Sequence, residues 1–132
     1  MSSASRYKDW FSEAEDDFKA ALLLKEGKMY GKACFFAQQA AKKALKALLL
    51  KLYKTYEDTH SVMKLLSKLS GFLKLDDKLR ACAQLLDRHY LPPRYPNMWP
   101  SGAPHEFYNE GDAEEAIDCA RRILELVRRH IT

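Results

Sequence analysis

The chain has 132 residues, of which 47% are hydrophobic and 30% are charged, and its net charge is +4. This composition predicts one soluble globular domain and excludes a disordered chain, and the helical patterns below run from residue 5 to residue 131. No apolar run is long enough to cross a bilayer and the N-terminus has no signal-peptide pattern, so we expect a cytoplasmic protein without membrane contact. Cys34, Cys82 and Cys119 lie far apart and form no metal-binding motif, so we expect buried, reduced thiols and neither a metal nor a cofactor.

Two long helices are predicted first. Apolar side chains recur at helical spacing over residues 5–26, and Gly27 follows as a stop signal. A second pattern covers residues 31–53 without proline or internal glycine, and its alanines and leucines occupy more than half of the helix circumference. Since such a helix must be buried on several sides, we predict that it is the central helix of the fold.

A narrow polar stripe remains on this central helix. Gln39, Lys42, Lys43 and Lys46 are spaced i, i+3, i+4 and i+7, so they share one face, and no acidic residue occurs in positions 31–56. One interpretation is a solvated face whose lysines pair with acids of the first helix. The other is an electropositive surface for phosphate groups, in which Lys43 and Lys46 bind the ligand.

Two shorter helices are predicted next. Residues 57–73 have a helical pattern with a cap near Thr59 or Ser61, and Asp76 is the expected N-cap of a fourth helix. The apolar stripe of that fourth helix ends at His89, for which we expect a structural role in the core.

All five prolines of the chain fall within residues 88–112, together with five aromatic and four basic side chains. Proline cannot continue a helix, so this segment is predicted to be a long loop, and its aromatic residues argue against disorder. Asp112 and Glu115 then form the pattern of a capping box for a fifth helix. Without any strand pattern, the sequence predicts an all-α fold: a compact up-and-down bundle of four to five helices with a long proline-rich loop before the last one.

Three segments of the sequence resemble a known family. The second helix contains Phe36-Ala37-Gln38-Gln39-Ala40-Ala41 followed by Lys43, Ala44, Leu45, Lys46 and Ala47, and it is preceded by Trp10, Ala14, Asp17, Phe18, Ala21, Gly27, Tyr30 and Ala33. This pattern is similar to that of the HEPN domain, whose name stands for higher eukaryotes and prokaryotes nucleotide-binding. Thr59-His60-Ser61 resembles the family's turn into its third helix, and Arg94-Tyr95-Pro96-Asn97 resembles its RYPD/RYPN segment.

The resemblance implies a helical bundle that forms a homodimer. Some members of the family bind nucleotides, and many prokaryotic members are encoded with a small nucleotidyltransferase as a toxin–antitoxin-like pair. Other members are metal-independent ribonucleases that use an arginine and a histidine a few residues apart. Arg94 and His105 are too far apart for that motif and His89 precedes Arg94, so we predict no catalytic residues. Lys42 stands where the family commonly has glutamate, which makes the polar stripe more basic.

We therefore expect a non-catalytic subunit that binds a nucleotide or RNA, or a partner nucleotidyltransferase. Arg94 can hold a phosphate with two hydrogen bonds, Tyr95 can stack on a base, and Asn97 can bind a base edge. The other candidate ligand-binding residues are Arg88, His105, Lys43 and Lys46. One alternative is a metal-independent ribonuclease that uses Arg94 and His105. Another is a purely structural dimerisation module in which Arg94 pairs with an acid such as Asp17 and Tyr95 packs against the fifth helix.

Overall fold

The computed structural model describes residues 3–131, and its regular structure within them is entirely helical. The five α-helices are α1 Tyr7–Glu26, α2 Tyr30–Tyr53, α3 Val62–Ser67, α4 Asp77–Asp87 and α5 Glu110–Ile131. Three short 3-10 turns are Ser3–Arg6, Pro96–Met98 and Pro104–Phe107. The predicted all-α bundle with a long loop before the last helix is thus confirmed. No helix among the described residues combines the length and the apolar character that a bilayer span requires.

Helix α2 is the centre of the bundle, as predicted. It packs most extensively against α1 and α5 and also touches α3 and α4. Small side chains on α2 let the neighbouring helices approach closely. Its fully buried alanines are Ala33, Ala37, Ala40, Ala41, Ala44 and Ala47.

Helix α3 is much shorter than the predicted span of residues 57–73. It begins at Val62 because Ser61 is the N-cap, with the Ser61 hydroxyl accepting a hydrogen bond from Lys64 N at 3.1 Å. After Ser67 the backbone tightens into turns, in which Leu69 N and Phe72 N donate to the carbonyl groups three residues earlier. The apolar spacing of this segment therefore continues through turns that are not α-helical.

Helix α5 begins earlier than the predicted capping box of Asp112 and Glu115. The cap is instead formed by Asn109 and Asp112, whose side chains accept hydrogen bonds from each other's backbone N–H groups, both at 2.9 Å. This is the reciprocal geometry of a capping box, displaced by three residues. The N-cap of α4 was predicted correctly, because Asp76 Oδ1 accepts from Leu79 N at 2.7 Å.

The proline-rich loop is organised around Trp99. The indole ring stacks on Phe107 with ring centres 4.3 Å apart, and Trp99 Nε1 donates to the carbonyl oxygen of Pro92 at 2.8 Å. Tyr108 lies edge-on to Trp99 and also to His89. These side chains line an open groove of about 630 Å³.

His89 lies two residues beyond the end of α4, is half-buried and lies edge-on to Tyr108. Its Nδ1 is buried without a hydrogen-bond partner among the described residues. Burial lowers the pKa of His89, so the ring is neutral at pH 7.

Two of the three cysteines are not reduced thiols, which corrects the sequence-based expectation. Cys82 of α4 and Cys119 of α5 form a disulfide bond, with their Cα atoms 5.0 Å apart. Their separation along the chain concealed this pairing, which depends on how α4 packs against α5. Cys34 is a free, buried thiol, as expected, and burial raises its pKa to about 12.

Candidate functional site

Arg94, in the RYPN segment, is held by three aromatic rings and one backbone carbonyl. Its Nε donates a hydrogen bond to the carbonyl oxygen of Tyr90 at 2.9 Å. Its guanidinium carbon lies 4.3 Å from the ring centre of Phe35, 4.7 Å from that of Tyr90 and 5.0 Å from that of Tyr95. Stacking on rings leaves the edge of a guanidinium free to donate hydrogen bonds. No ion pair in the described part of the chain involves Arg94.

The suggested ion pair between Arg94 and Asp17 is wrong. Asp17 is buried and one of its carboxylate oxygens lies 2.8 Å from Lys43 Nζ, while Glu13 approaches the same nitrogen at 3.9 Å. Lys43 therefore pairs with acids of α1, as the solvated-face interpretation proposed. Tyr95 keeps 45% of its surface exposed, beside the guanidinium of Arg94.

Lys42 and Lys46 are not on a solvated face. They keep only 6% and 3% of their surface exposed, and their ammonium nitrogens lie near aromatic rings from other parts of the chain. Lys42 Nζ lies 3.4 Å from Nδ1 of His60 and 5.7 Å from the ring centre of Tyr90. Burial, with Lys46 and Lys43 next in importance, lowers the pKa of Lys42 to about 8.

Lys46, one turn further along α2, lies between two rings. Its Nζ is 5.1 Å from the ring centre of Tyr56 and 5.8 Å from that of Trp10. Burial lowers the pKa of Lys46, and the carboxylates of Asp58 and Glu57 oppose this shift. Lys42, Lys46, His60 and Arg94 form what we call the basic cluster.

His60 is the member of the basic cluster that was missing from the predicted ligand-binding residues. Its ring stacks on Tyr90 with centres 4.5 Å apart and planes inclined by 16°, and its carbonyl oxygen accepts a hydrogen bond from Gln38 Nε2 at 2.9 Å. Burial and then the three cations of the cluster lower the pKa of His60, so a neutral imidazole is favoured at pH 7. The match of Thr59-His60-Ser61 to a family turn was the available signal, but the sequence did not place that turn beside α2.

The other predicted residues lie apart from the basic cluster. Arg88, Asn97 and His105 are exposed. Across residues 3–131, no hydrogen bond, ion pair or ring contact joins any of these three to a member of the cluster. The proposed pairing of Arg94 with His105 therefore has no contact to support it, and the histidine that shares the Tyr90 ring with Arg94 is His60.

The basic cluster combines cations with a neutral imidazole at the surface of α2. Lys42, Lys46 and Arg94 have no carboxylate within ion-pair distance among the described residues, whereas Lys43 has two. Such an arrangement can bind an anion and can exchange a proton with it. Across the same residues, no group of three or more His, Cys, Asp or Glu side chains is placed to ligate a metal ion.

Comparison with known proteins identifies the family. The family model described as "HEPN domain" matches residues 7–130. The chain is also 28% identical to the protein named "Putative toxin MJ1304" from Methanocaldococcus jannaschii, in a match covering 90% of this chain and 84% of that protein.

Solved structures agree with this match over nearly the full length. TT1696 from Thermus thermophilus is 36% identical with a TM-score of 0.90, covering 98% of both chains. ST0689, described as an archaeal HEPN homologue, is 39% identical with a TM-score of 0.79, covering 96% of this chain and 98% of that one. A HEPN domain protein from Thermotoga maritima, TM0613, is 29% identical with a TM-score of 0.73, covering 92% of this chain and 95% of that one. Because the family model spans almost all of the sequence, the chain belongs to the HEPN domain family.

Proposed function

We propose that this protein is a non-catalytic HEPN subunit that binds a nucleotide at the basic cluster and acts with a nucleotidyltransferase. The observation that carries the proposal is the unbalanced charge of Lys42, Lys46 and Arg94. Burial is the main cause of the lowered pKa of Lys42, and repulsion from Lys46 and Lys43, with a smaller part from Arg94, adds to it. A bound phosphate would relieve this repulsion.

The shape of Arg94 suits a phosphate ligand. Its hydrogen bond to Tyr90 uses Nε alone, so the terminal nitrogens can donate to two oxygens of one phosphate group. Ring contacts on the guanidinium fix its plane before a ligand arrives, which lowers the entropy lost on binding. Arginine is better suited than lysine to this stacked, bidentate role.

Exposed aromatic rings border the basic cluster on two sides. Tyr95 beside Arg94 is 45% exposed, and Tyr56 beside Lys46 is 48% exposed. A nucleobase stacked on an exposed ring contributes about 1–3 kcal/mol to binding. The combination of cations with exposed rings favours a nucleotide over inorganic phosphate.

Calorimetric titration of the purified protein with ATP, AMP and inorganic phosphate tests the proposal. We expect ATP to bind most tightly, and Arg94→Ala to weaken its affinity at least tenfold, since charge-assisted hydrogen bonds contribute about 1.5–3 kcal/mol. Arg88→Ala is the matched control, because Arg88 is an exposed arginine of the same loop without a contact to the cluster. Equal effects of the two substitutions, or no binding heat with any nucleotide, would rule out this site.

A ribonuclease is the second candidate function, and the contact between His60 and Lys42 is the observation that favours it. A neutral imidazole can take the proton of a ribose hydroxyl, and neighbouring cations can stabilise the charge of the phosphorane. Incubation of the protein with unstructured RNA in the presence of a chelator tests this function. Cleavage that is lost in His60→Ala and retained in His105→Ala would support it, and intact RNA would eliminate it.

We also propose that the protein forms a homodimer and pairs with a nucleotidyltransferase. Support comes from the family to which the chain belongs and from its similarity to a protein that is named as a toxin. Light scattering should give about twice the mass of the 15.2 kDa chain. If a neighbouring gene encodes a nucleotidyltransferase, co-expression of the two proteins should yield a complex that survives size-exclusion chromatography, and separate elution would count against the pairing.

A further inference from the structure

We infer that Lys42 is a nucleophilic amine that small acyl phosphates acylate, and that this modification inactivates the anion site. The inference rests on the proposed function in one respect, since it uses the basic cluster to hold the phosphate of the acyl donor. Four observations on Lys42 and its neighbours support it.

The first observation concerns the position of the amine. Lys42 keeps only 6% of its surface exposed, and its Nζ contacts the ring of His60, which is itself exposed. The nitrogen is therefore held next to a surface side chain, and acylation requires a small reagent to approach it along that ring. Lys32 and Lys54 are more exposed, but no contact of this kind among the described residues holds their amines.

The second observation concerns protonation, because only an unprotonated amine can attack a carbonyl carbon. With a pKa of about 8, roughly a tenth of Lys42 is the free amine at pH 7, compared with about one part in 3,000 for a lysine at 10.5. The charged groups that determine this balance come from every neighbouring element. They are Lys43 and Lys46 on α2, Asp17 on α1 and Arg94 in the loop, with His60 and Tyr90 in direct contact.

The third observation is the base beside the amine. His60 Nδ1 lies 3.4 Å from Lys42 Nζ and belongs to a ring that is neutral at pH 7. In the reaction the Lys42 nitrogen attacks the carbonyl carbon of the acyl phosphate and a C–N bond forms. The C–O bond to phosphate breaks, inorganic phosphate leaves with the electron pair, and the surplus proton of the amine passes to His60.

The fourth observation is the pair of cations that flank this reaction. Lys46 and Arg94 have no carboxylate partner in residues 3–131, so they can hold the phosphate end of the donor beside Lys42 and stabilise it as it leaves. The product amide carries no charge. The cluster then loses one of its three cations, and its affinity for anions falls.

Acetyl phosphate is the probe, and peptide mass spectrometry of the intact, full-length chain after brief exposure is the measurement. Among the fourteen lysines, we expect Lys42 to be acetylated at least tenfold faster than exposed Lys32 and Lys54 or ion-paired Lys43. His60→Ala should slow the acetylation of Lys42 and leave that of Lys32 unchanged. Uniform acetylation of all exposed lysines, with Lys42 among the slowest, would overturn the inference.

Two controls separate this inference from the proposed function. Acetic anhydride has no phosphate, so it reports the intrinsic reactivity of Lys42. Inorganic phosphate should slow the acetylation of Lys42 by acetyl phosphate more than that by acetic anhydride, because only acetyl phosphate competes with it for the cluster. Unmodified Lys42 in a protein that binds ATP would refute the inference and leave nucleotide binding intact. Rapid acetylation of Lys42 in a protein that binds no nucleotide would support the inference and refute nucleotide binding.

The consequence for binding is measured with Lys42→Arg, which keeps the positive charge and cannot be acylated. Each protein is compared with itself before and after treatment with acetyl phosphate. We expect the treated wild-type protein to lose at least tenfold in ATP affinity and Lys42→Arg to lose less than twofold. Equal losses in the two proteins would show that other lysines are responsible and would contradict the regulatory part of the inference.

Discussion

Lys42 is a charged side chain that destabilises the folded protein at neutral pH. Its pKa is about 8 in the folded protein and near 10.5 in the unfolded chain. Between these values the unfolded chain binds more protons, so the free energy of unfolding rises as pH increases from about 8 to 10.5. Below pH 8 the full cost of keeping the ammonium in the cluster is present.

Lys42→Met should therefore stabilise the protein at pH 7 by on the order of 2–3 kcal/mol, because the substitution removes the buried charge and keeps most of the side-chain volume. The gain should shrink towards zero by about pH 10.5, where wild-type Lys42 is neutral. Urea unfolding of both proteins at pH 7 and pH 10.5 measures this difference in the free energy of unfolding. A stability difference that does not change with pH would show that Lys42 is not the group responsible.

The same ammonium group should couple nucleotide binding to proton uptake. A phosphate beside Lys42 favours the charged amine and raises its pKa from about 8, so at pH 8 roughly half a proton is taken up per ligand bound. Calorimetric titration with ATP at pH 8, in two buffers of different ionisation enthalpy, measures this uptake. It should disappear in Lys42→Met. An equal binding heat in both buffers would mean that the ligand does not contact Lys42.

At the scale of elements, one carboxylate fixes the segment that carries His60. Asp87, the last residue of α4, accepts hydrogen bonds from Ser61 Oγ at 2.8 Å, Val62 N at 2.6 Å and Met63 N at 3.2 Å. These are donors at the N-terminus of α3, which has no earlier turn to satisfy them. The contact thus joins α3 to α4 immediately beside His60.

Asp87→Ala should lower the free energy of unfolding by about 2–3 kcal/mol, since it leaves backbone donors of α3 unsatisfied and removes charge-assisted hydrogen bonds. Asp76→Ala is the matched comparison. Asp76 caps α4 through a single hydrogen bond from Leu79 N, so its loss should cost about 1 kcal/mol. Urea denaturation of the three proteins measures both differences. A smaller effect for Asp87→Ala than for Asp76→Ala would contradict the role assigned to Asp87.

The sequence predicted the elements whose signals are local. Helices α1, α2 and α4 have uninterrupted apolar periods, and Asp76 is a cap that can be read from its own neighbours. The cap of α3 near Thr59 or Ser61 is confirmed at Ser61, but the helix ends at Ser67 and not near residue 73, because the apolar spacing continues through turns. The start of α5 lies before the predicted Asp112, because the side chain of Asn109 supplies the cap. Local patterns thus predicted that each helix exists and left some of its boundaries to tertiary contacts.

At the scale of the whole molecule, the basic cluster exists only because three elements meet. Lys42 and Lys46 come from α2, His60 from the segment before α3, and Arg94 from the loop after α4. Helical spacing predicted that the two lysines share a face, and the family resemblance drew attention to Arg94. The sequence did not predict that aromatic rings from other elements would cover that face, so the burial of the lysines and the part played by His60 could not be foreseen.

The disulfide bond is a second feature that depends on the assembled bundle, and it encloses the loop that carries Arg94. Cys82 and Cys119 are 37 residues apart, and all five prolines lie between them. Closing a loop of this length restricts the unfolded chain and stabilises the folded state by about 3–4 kcal/mol in the chain-entropy account. The bond therefore limits how far α4 and α5 can separate.

Reduction should lower the free energy of unfolding of the wild-type protein by about 3 kcal/mol and lower its Tm by roughly 10 °C. Thermal unfolding with and without a phosphine reductant measures the change. A double variant with Cys82→Ala and Cys119→Ala should have the same low Tm with and without the reductant, because it lacks the bond that the reductant breaks.

Thiol titration of the denatured wild-type chain gives an independent count. One thiol, Cys34, should react before reduction and three after it, since the other two sulfur atoms are paired in the folded protein. Three reactive thiols before reduction would show that α4 and α5 are held together by packing alone, and the reductant would then leave the Tm unchanged.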